Sequence, residues 1–263
     1  MKTLSSHYQS IVEGDRLFRS RAHSIEFYTT LGVIEKYLTK PGRILELGAG
    51  HGVYSLYLAE QGHSVVATDI VEDNVNKMSA LVTKENEANL EVRQLDALEA
   101  SKVFKAEFDL TLCLGPLYHL RREEERATCL RECAAVTGEG GILILAYINK
   151  HFAIPYIQSL GAQFNKKDYE EMAKTSWDYK DFPDDFMNIS YYSTPEAMAE
   201  EVEESGLKIL DHVAADGMYT LLKDSIEKLT DEAFRDLLDY HMSKASLLSS
   251  LGASSHNLII CQK

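Results

Sequence analysis

The sequence has no long hydrophobic run and no excess of positive charge. Its 263 residues are 45% hydrophobic, which suffices for one large domain over residues 1–263. No stretch reaches the roughly 20 consecutive apolar residues of a membrane helix. The amino terminus, Met-Lys-Thr-Leu-Ser-Ser-His-Tyr, has no apolar core of a secretion signal. We therefore expect a cytoplasmic protein that does not associate with a membrane.

Basic residues are scarce relative to acidic ones. Lysine and arginine number 27 against 41 aspartates and glutamates, which gives a net charge of −14. Proteins that bind the phosphate backbone of nucleic acid usually present a basic face. The balance therefore disfavours nucleic acid as a partner and is typical of a solubilising surface.

Cysteine is also scarce, and its spacing favours no metal site. The four cysteines are Cys113, Cys129, Cys133 and Cys261. Cys129 and Cys133 stand four positions apart on a predicted helix and could hold half of a metal site. No second Cys/His pair follows at the spacing that zinc sites use. We expect buried free thiols and no metal.

A glycine-rich stretch is the most informative feature of the chain. Residues 43–52 read Arg-Ile-Leu-Glu-Leu-Gly-Ala-Gly-His-Gly, and a helical pattern follows from Val53. Glycine tolerates positive φ and has no Cβ to block the approach of a ligand. The amino end of the following helix offers unpaired N–H groups. A strand, a glycine turn and a helix in this order indicate a nucleotide site.

The spacing of the glycines narrows the ligand. The dinucleotide fingerprint would place its third glycine at position 53, which is Val53, and the loop lacks the Gly-Lys-Ser/Thr ending of a P-loop. Glu46 precedes Gly48 by two positions, and its charge would repel a pyrophosphate. The Glu-x-Gly-x-Gly-x-Gly arrangement resembles motif I of the class I S-adenosylmethionine (SAM) methyltransferases. A nicotinamide oxidoreductase remains the alternative that NAD binding would reveal.

Alternating periodicities predict the rest of the core. Strands are expected at 64–68, 90–95, 108–114 and 142–148, with helices at 72–86 and 121–137. Near-continuous apolar strands that alternate with helices indicate a parallel sheet covered on both faces. Ligands of such sheets lie beyond the carboxyl ends of the strands. Gly48, Asp69, Asp96 and Gly115 fall at such ends and are expected to converge on one cleft.

The resemblance implies an α/β, Rossmann-like sheet of seven mostly parallel strands, with helices on both faces and an antiparallel last strand. We divide the single methyltransferase domain into four parts: an amino-terminal helical cap (1–42), a SAM-binding core (43–150), a helical, aromatic-rich lid or substrate insertion (151–195) and the carboxyl-terminal part of the sheet with a helical insertion (196–263).

A set of residues is expected to bind SAM. Asp69 can accept hydrogen bonds from both ribose hydroxyls, or it can cap the next helix. The resemblance implies that Asp96, followed by Ala97, faces the adenine amino group; the alternative is a solvated loop aspartate. Ile70 would lie against the adenine ring or be an ordinary core residue. A carboxylate near the loop suits the ammonium group of SAM. The complete predicted set is Glu46, Gly48, Ala49, Gly50, Asp69, Ile70, Asp96, Ala97, Leu114 and Gly115.

The segment Gly-Pro-Leu-Tyr-His-Leu at 115–120 resembles motif IV of bacterial small-molecule methyltransferases. His119 is the candidate general base, because its ordinary pKa lies near neutrality; it could instead only shape the pocket or cap a helix. Tyr118 could orient the substrate or pack on SAM. Arg21 is a candidate partner for the SAM carboxylate or an anionic substrate, or else a solvated arginine. Trp177 belongs to the aromatic insertion that would set specificity.

The expected function is transfer of a methyl group from SAM to a small-molecule acceptor by in-line displacement, which requires mainly alignment and proximity. The alternatives are an RNA or protein acceptor, and a SAM-binding module without catalysis. The protein is expected to be a monomer or homodimer.

Overall fold

The computed structural model describes residues 16–173 and 190–263. Its strands are β1 (Arg43–Leu47), β2 (Ser64–Asp69), β3 (Leu90–Gln94), β4 (Phe108–Cys113), β5 (Thr137–Asn149), β6 (Tyr192–Ser193), β7 (Lys208–Ala214) and β8 (His256–Gln262). Its helices are α1 (Arg21–Tyr37), α2 (Val53–Glu60), α3 (Glu72–Ala80), α4 (Ala100–Val103), α5 (Glu123–Val136), α6 (Lys150–Ser159), α7 (Lys166–Met172), α8 (Pro195–Glu204), α9 (Lys223–Ile226), α10 (Asp231–Lys244) and α11 (Leu248–Leu251). None of these helices is both long and apolar enough to span a bilayer.

The strands form one mixed sheet in the order β3-β2-β1-β4-β5-β8-β7, and the two-residue β6 pairs with the end of β5. Strands β1 to β5 run parallel, whereas β8 is antiparallel to both β5 and β7. The expected Rossmann-like sheet with an antiparallel last strand is therefore confirmed. The short β6 is an addition that the sequence did not predict.

Alternate residues along the strands supply a hydrophobic core on each face of the sheet. Ile44, Leu110 and Ile144 belong to the cluster that also contains the buried side chains of α1 and α2. Their neighbours Leu45 and Leu143 belong to the cluster that contains the buried side chains of α5 and α8. The period of two along a strand explains this division.

Two predicted boundaries were wrong. The helix expected over 72–86 ends at Ala80, because the buried Asn86 closes the segment into turns: its side chain accepts from Thr83 N and donates to Leu81 O at 2.7 and 3.1 Å. Strand β5 begins at Thr137 rather than at position 142. Gly138, Gly140 and Gly141 lie within this strand and do not end it, although the pairing of β5 with β4 shifts register between Phe108 and Leu110.

The strand order creates a crevice at the carboxyl ends of the central strands. The chain leaves β1 for β2 and β3, then returns to the other side of β1 as β4. Such a reversal of strand order opens a crevice at the carboxyl ends of the two strands. Because β8 is antiparallel, its first residue, His256, pairs with Ile148 near the carboxyl end of β5 and lies at this same edge.

Replacing Asn149 with alanine should destabilise the fold by about 2–4 kcal/mol. The buried Asn149 amide donates to the carbonyls of Leu251 and Ser254, each at 3.0 Å, and its oxygen accepts from His151 N at 3.0 Å. Alanine leaves these groups unpaired. Urea unfolding of Asn149→Ala measures the loss; Asn76→Ala, on the exposed face of α3, should change stability by less than about 0.5 kcal/mol. Equal stability of the two variants would contradict the assigned role.

Candidate functional site

The loop between β1 and α2 is shaped by glycine at three positions. Gly48, Gly50 and Gly52 have φ of +70, +59 and +78°. A Cβ on Gly48 would lie 2.8 Å from the Pro116 ring, and one on Gly52 would lie 2.9 Å from Met78 Cγ, whereas one on Gly50 would meet nothing within 4 Å. Gly48 and Gly52 are therefore required by close packing. Gly50 instead leaves bare backbone facing open space.

The Asp69 carboxylate at the end of β2 holds the glycine loop. Its Oδ2 accepts from Gly50 N and its Oδ1 accepts from Val71 N, both at 2.8 Å. A carboxylate has about four acceptor positions, so two remain for a ligand. The next residue, Ile70, is 59% exposed although it is large and apolar. An acceptor beside an uncovered apolar side chain suits a ribose joined to a planar base.

Glu46 lies beneath the loop rather than in the open crevice. Its buried carboxylate accepts from the Ser55 hydroxyl in the first turn of α2, where the helix dipole favours a negative charge. Its carbonyl accepts from the Thr68 hydroxyl at 2.9 Å, and Ala49 N donates to the Thr68 carbonyl at 2.8 Å. Glu46 and Ala49 thereby tie the ends of β1 and β2 together.

The remaining predicted cofactor residues lie at neighbouring strand ends. Asp96 Oδ1 caps a single 3₁₀ turn, which begins with Ala97, by accepting from Leu98 N at 2.9 Å. On the other side of β1, Leu114 and Gly115 are half-buried. A Cβ on Gly115 would lie 3.2 Å from the carbonyl oxygen of Gly48. The glycine loop and the segment after β4 are therefore in direct contact.

Tyr118 and His119 occupy different environments although they are adjacent. Burial raises the pKa of Tyr118 to about 12, so its hydroxyl stays protonated at neutral pH and can serve as a donor. A Cβ on Gly115 would lie 3.8 Å from this hydroxyl. His119 is exposed, and its ring lies edge-on to that of Tyr118 at 4.9 Å between centroids.

The structure directs Arg21 away from Tyr118. Its guanidinium donates to the Leu229 carbonyl at 2.6 Å and to Asp231 at 2.9 Å, and it lies over the Phe234 ring at 4.6 Å. These contacts join α1 to the α9–α10 region. Trp177, the other predicted substrate residue, lies outside the described residues.

A largely buried network of charged residues, which sequence reasoning did not identify and whose most exposed member is Arg16, adjoins Tyr118. Arg16 donates two hydrogen bonds to Glu26, at 2.5 and 2.7 Å, and its charge also acts on Tyr118. His256 Nδ1 lies 3.5 Å from Glu26 Oε2 and 2.9 Å from Asp216 Oδ2. We call Arg16, Glu26, Asp216 and His256 the cleft network.

No sequence motif marks this network. Its members come from the 3₁₀ turn before α1, from α1 itself, from the segment after β7 and from the first position of β8. The one available signal was the predicted antiparallel direction of the last strand, which brings a polar residue at its start to the cleft.

Glu26 is ionised in spite of its burial. Burial opposes ionisation, but the charge of Arg16 and the two hydrogen bonds from its guanidinium outweigh it and lower the pKa of Glu26 to about 2. The Arg16–Glu26 ion pair therefore joins the 3₁₀ turn at Arg16–Phe18 to α1 at every pH near neutrality.

Two groups of residues in the described part of the chain have ligand atoms close enough to hold a metal ion. Cys113, Cys129 and Cys133 form a buried group, in which the sulfurs of Cys113 and Cys129 are 3.8 Å apart. Cys113 was not part of the half-site predicted from Cys129 and Cys133. The second group consists of Glu26, Asp216 and His256, but there Arg16 already supplies the cation. The expectation of buried free thiols agrees with the complete burial of all four cysteines.

Comparison with known proteins agrees with this arrangement. Residues 44–141 match the family model described as a methyltransferase domain. A ubiquinone biosynthesis O-methyltransferase of Acinetobacter baylyi is 24% identical over 169 residues, which make up 64% of this chain and 64% of that protein. The chain thus spans just under two thirds of the length of that relative.

Two solved structures share the fold. The 1,6-didemethyltoxoflavin-N1-methyltransferase of Burkholderia thailandensis, solved with 1,6-didemethyltoxoflavin and S-adenosylhomocysteine, is 16% identical with a TM-score of 0.60, over 99% of this chain and 87% of that chain. The [4+2]-cyclase SpnF is also 16% identical, with a TM-score of 0.59 over 90% of this chain and 81% of that chain. At these identities the likeness concerns the fold alone.

Replacing Glu26 with glutamine should remove a pH-dependent part of the stability. A carboxylate whose pKa is lowered on folding stabilises the protein above its unfolded pKa of about 4.5, and this stabilisation is lost as the pH falls toward about 2. The difference in unfolding free energy between wild type and Glu26→Gln should therefore shrink by on the order of 2 kcal/mol between pH 7 and pH 3.

Urea unfolding across this pH range measures the difference. Glu203→Gln, at an exposed position of α8, is the matched control and should follow the wild-type curve. Parallel curves for wild type and Glu26→Gln would show that Arg16 does not stabilise the ionised carboxylate.

Proposed function

We propose that this chain, which belongs to the class I SAM-dependent methyltransferase family, transfers a methyl group from SAM to a small-molecule acceptor. The observation that carries the proposal is the loop at the switch point between β1 and β4. There the backbone at Gly50 is uncovered, and the Asp69 carboxylate beside it keeps two acceptor positions free. This loop lies within the residues that match the methyltransferase domain.

The residues present fit SAM at both ends of the crevice. Asp69 would accept from the ribose hydroxyls, and the exposed Ile70 would cover one face of the adenine. The half-buried Asp96 and Ala97 would hold the adenine amino group. The absence of a Cβ at Gly48 and Gly115 keeps both backbones near the part of the site assigned to the methionine moiety, with Leu114 beside them.

SAM supplies the electrophilic methyl group, and the chain's own residues align the acceptor with it. The protonated Tyr118 hydroxyl is a donor beside the glycine loop, and Arg16 offers positive charge next to it. Direct contact with SAM is not the main role that we assign to Glu46, because its carboxylate is buried and accepts from the Ser55 hydroxyl. We assign Glu46 to holding the loop and setting a negative potential beneath an ammonium group.

A small acceptor is supported by the relatives and by the charge. The matched relative is named an O-methyltransferase, and the structural neighbour binds a small heterocycle; both favour a small molecule, and the first favours oxygen as the methylated atom. The net charge of −14 disfavours RNA. A cytoplasmic location, and a lid formed by residues 151–195, are parts of the same proposal.

A second candidate is a SAM-binding protein that does not transfer the methyl group. The fold is compatible with it, because a protein named a [4+2]-cyclase shares that fold with nearly the same TM-score as the methyltransferase. Release of S-adenosylhomocysteine from labelled SAM in the presence of pooled small metabolites separates the two candidates. Binding without turnover would favour the second.

S-adenosylhomocysteine should bind the wild-type chain, and Asp69→Ala should weaken that binding at least tenfold, because the ribose hydroxyls lose an acceptor and the loop loses its brace at Gly50. Ile70→Ser should weaken it by about 3- to 30-fold through loss of apolar contact alone. Isothermal titration calorimetry measures both affinities.

Glu87→Ala is the control, because Glu87 is an exposed acid before the amino end of β3, away from the carboxyl ends of the strands; it should bind like wild type. NAD is the control ligand. A folded wild-type chain that binds NAD but not S-adenosylhomocysteine would refute the proposed function. Unchanged affinity in both Asp69→Ala and Ile70→Ser would refute the assigned site.

A further inference from the structure

Asp216 is a buried carboxylate held almost entirely by hydrogen-bond donors. Its Oδ1 accepts from the Ser254 hydroxyl and from Ser255 N, both at 2.8 Å, and from His256 N at 2.9 Å. Its Oδ2 lies 2.9 Å from His256 Nδ1. Three donors occupy Oδ1, which leaves Oδ2 as the acceptor for the imidazole.

This contact fixes the tautomer of His256. Because a carboxylate can only accept, Nδ1 must carry a proton toward Asp216, and in the neutral ring Nε2, on the opposite side, then keeps its lone pair. Nε2 makes no hydrogen bond to any residue in the described ranges, and the side chain is 13% exposed. The ring is therefore oriented, with a basic nitrogen left free.

We propose that His256, oriented by Asp216, is the general base that removes a proton from the acceptor. The inference rests on the proposed methyl transfer and specifies its substrate class: an acceptor whose reacting group is a weakly acidic hydroxyl. Such a hydroxyl is largely protonated near neutral pH and reacts poorly until it loses its proton. Acceptors already present as anions would not need this base.

The position of His256 supports the assignment. The antiparallel direction of β8 puts its first residue at the cleft edge. The ring centroid of His256 lies 6.2 Å from that of Tyr118, and the Tyr118 hydroxyl lies beside Gly115 and the glycine loop. The base thus stands next to the expected place of the methyl group, on the acceptor side.

The charged groups that the structure describes around the ring carry one unbalanced negative charge, that of Asp216. Arg16 pairs with Glu26 and balances it, so Asp216 is left as the unbalanced charge among the described residues of the network. Gain of a proton by His256 makes the whole network neutral. The titratable and charged groups that face this region from the surrounding elements are Arg16, His23, Glu26, Tyr54, Tyr118, Asp216 and His241.

The protonation states of these neighbours at about pH 7 are consistent with His256 as the general base. Burial lowers the pKa of His23 and of His241, so both are neutral. Burial raises the pKa of Tyr54 and Tyr118, so both keep their protons. In the described residues beside the ring, His256 is then the group that combines a free basic nitrogen with an orienting carboxylate.

The proposed step balances in protons and electrons. His256 Nε2 accepts the proton of the acceptor hydroxyl as the acceptor oxygen forms a bond to the methyl carbon. The bond between that carbon and sulfur breaks, and the sulfur keeps the electron pair, which gives S-adenosylhomocysteine. The imidazolium then returns its proton to solvent through the exposed part of the side chain.

His256→Asn tests the base directly. Asparagine can still donate to Asp216 but has no basic nitrogen. With phenol as the acceptor probe and labelled SAM as donor, kcat should fall by about 10²–10⁴, while the affinity for S-adenosylhomocysteine stays within a few-fold. His63→Asn, at the opposite edge of the sheet just before β2, is the control and should retain wild-type kcat.

The acidity of the acceptor distinguishes a base from a residue that only shapes the site. The loss caused by His256→Asn should be large for phenol and should nearly disappear for 4-nitrophenol, which is largely ionised at about pH 8. An equal loss with both acceptors would overturn the proposal. A greater loss in His119→Ala than in His256→Asn, confined to phenol, would assign the proton to His119 and also overturn it.

The tautomer provides a measurement that does not depend on turnover. In ¹⁵N-histidine NMR of the wild-type chain at about pH 8, His256 should carry its proton on Nδ1 and a lone pair on Nε2, and Asp216→Asn should change this pattern. A proton on Nε2, or protons on both nitrogens, would overturn the proposal even where neither phenol is methylated. Failure of the wild type to bind S-adenosylhomocysteine would instead refute the proposed function.

Discussion

The close approach of β1 and β4 at their carboxyl ends is the constraint on which the site depends. Gly48 fits at this position only because it has no Cβ, since a Cβ there would lie 2.8 Å from the ring of Pro116. The same approach sets Gly115 against the Gly48 carbonyl. As a result, the loop assigned to the methyl donor and the segment that carries Tyr118 form one surface. A side chain at either glycine would push apart the two halves of the crevice.

The residues assigned to the methyl donor could be proposed from the sequence because they lie close together in the chain, and their role in binding stays a prediction. Strand β1, the glycine turn and helix α2 together span 18 residues, and Asp69 ends the next strand. Strand ends in a parallel sheet share an edge, so alternation of strands and helices was enough to bring Asp69, Asp96 and Gly115 together. The periodicity also gave the fold class. The periodicity wrongly predicted that the helix continues beyond Ala80, where the hydrogen bonds of the Asn86 side chain to the backbone form turns instead.

The acceptor half could not be predicted in the same way. Arg16, Glu26, Asp216 and His256 stand as far as 240 positions apart, and each is an ordinary residue in its own segment. Their partnership follows from tertiary contacts: Glu26 of α1 contacts Arg16 and His256, and β8 pairs with both β5 and β7. His119 was the more visible candidate because it stands in a recognisable segment, yet it is exposed, whereas the histidine with a buried carboxylate partner comes from the end of the chain.

The antiparallel strand explains why a base can stand at this edge at all. A parallel strand presents its last residues to the crevice, where the chain must turn away into a loop. Strand β8 presents its first residue, and the preceding Ser254 is held in place by accepting from Asp216 N and Gly217 N at 3.2 and 2.9 Å. The backbone that positions His256 is therefore the same backbone that donates to Asp216. The orientation of the His256 ring and the hydrogen bonds to Asp216 arise from one turn, so neither can be altered without the other.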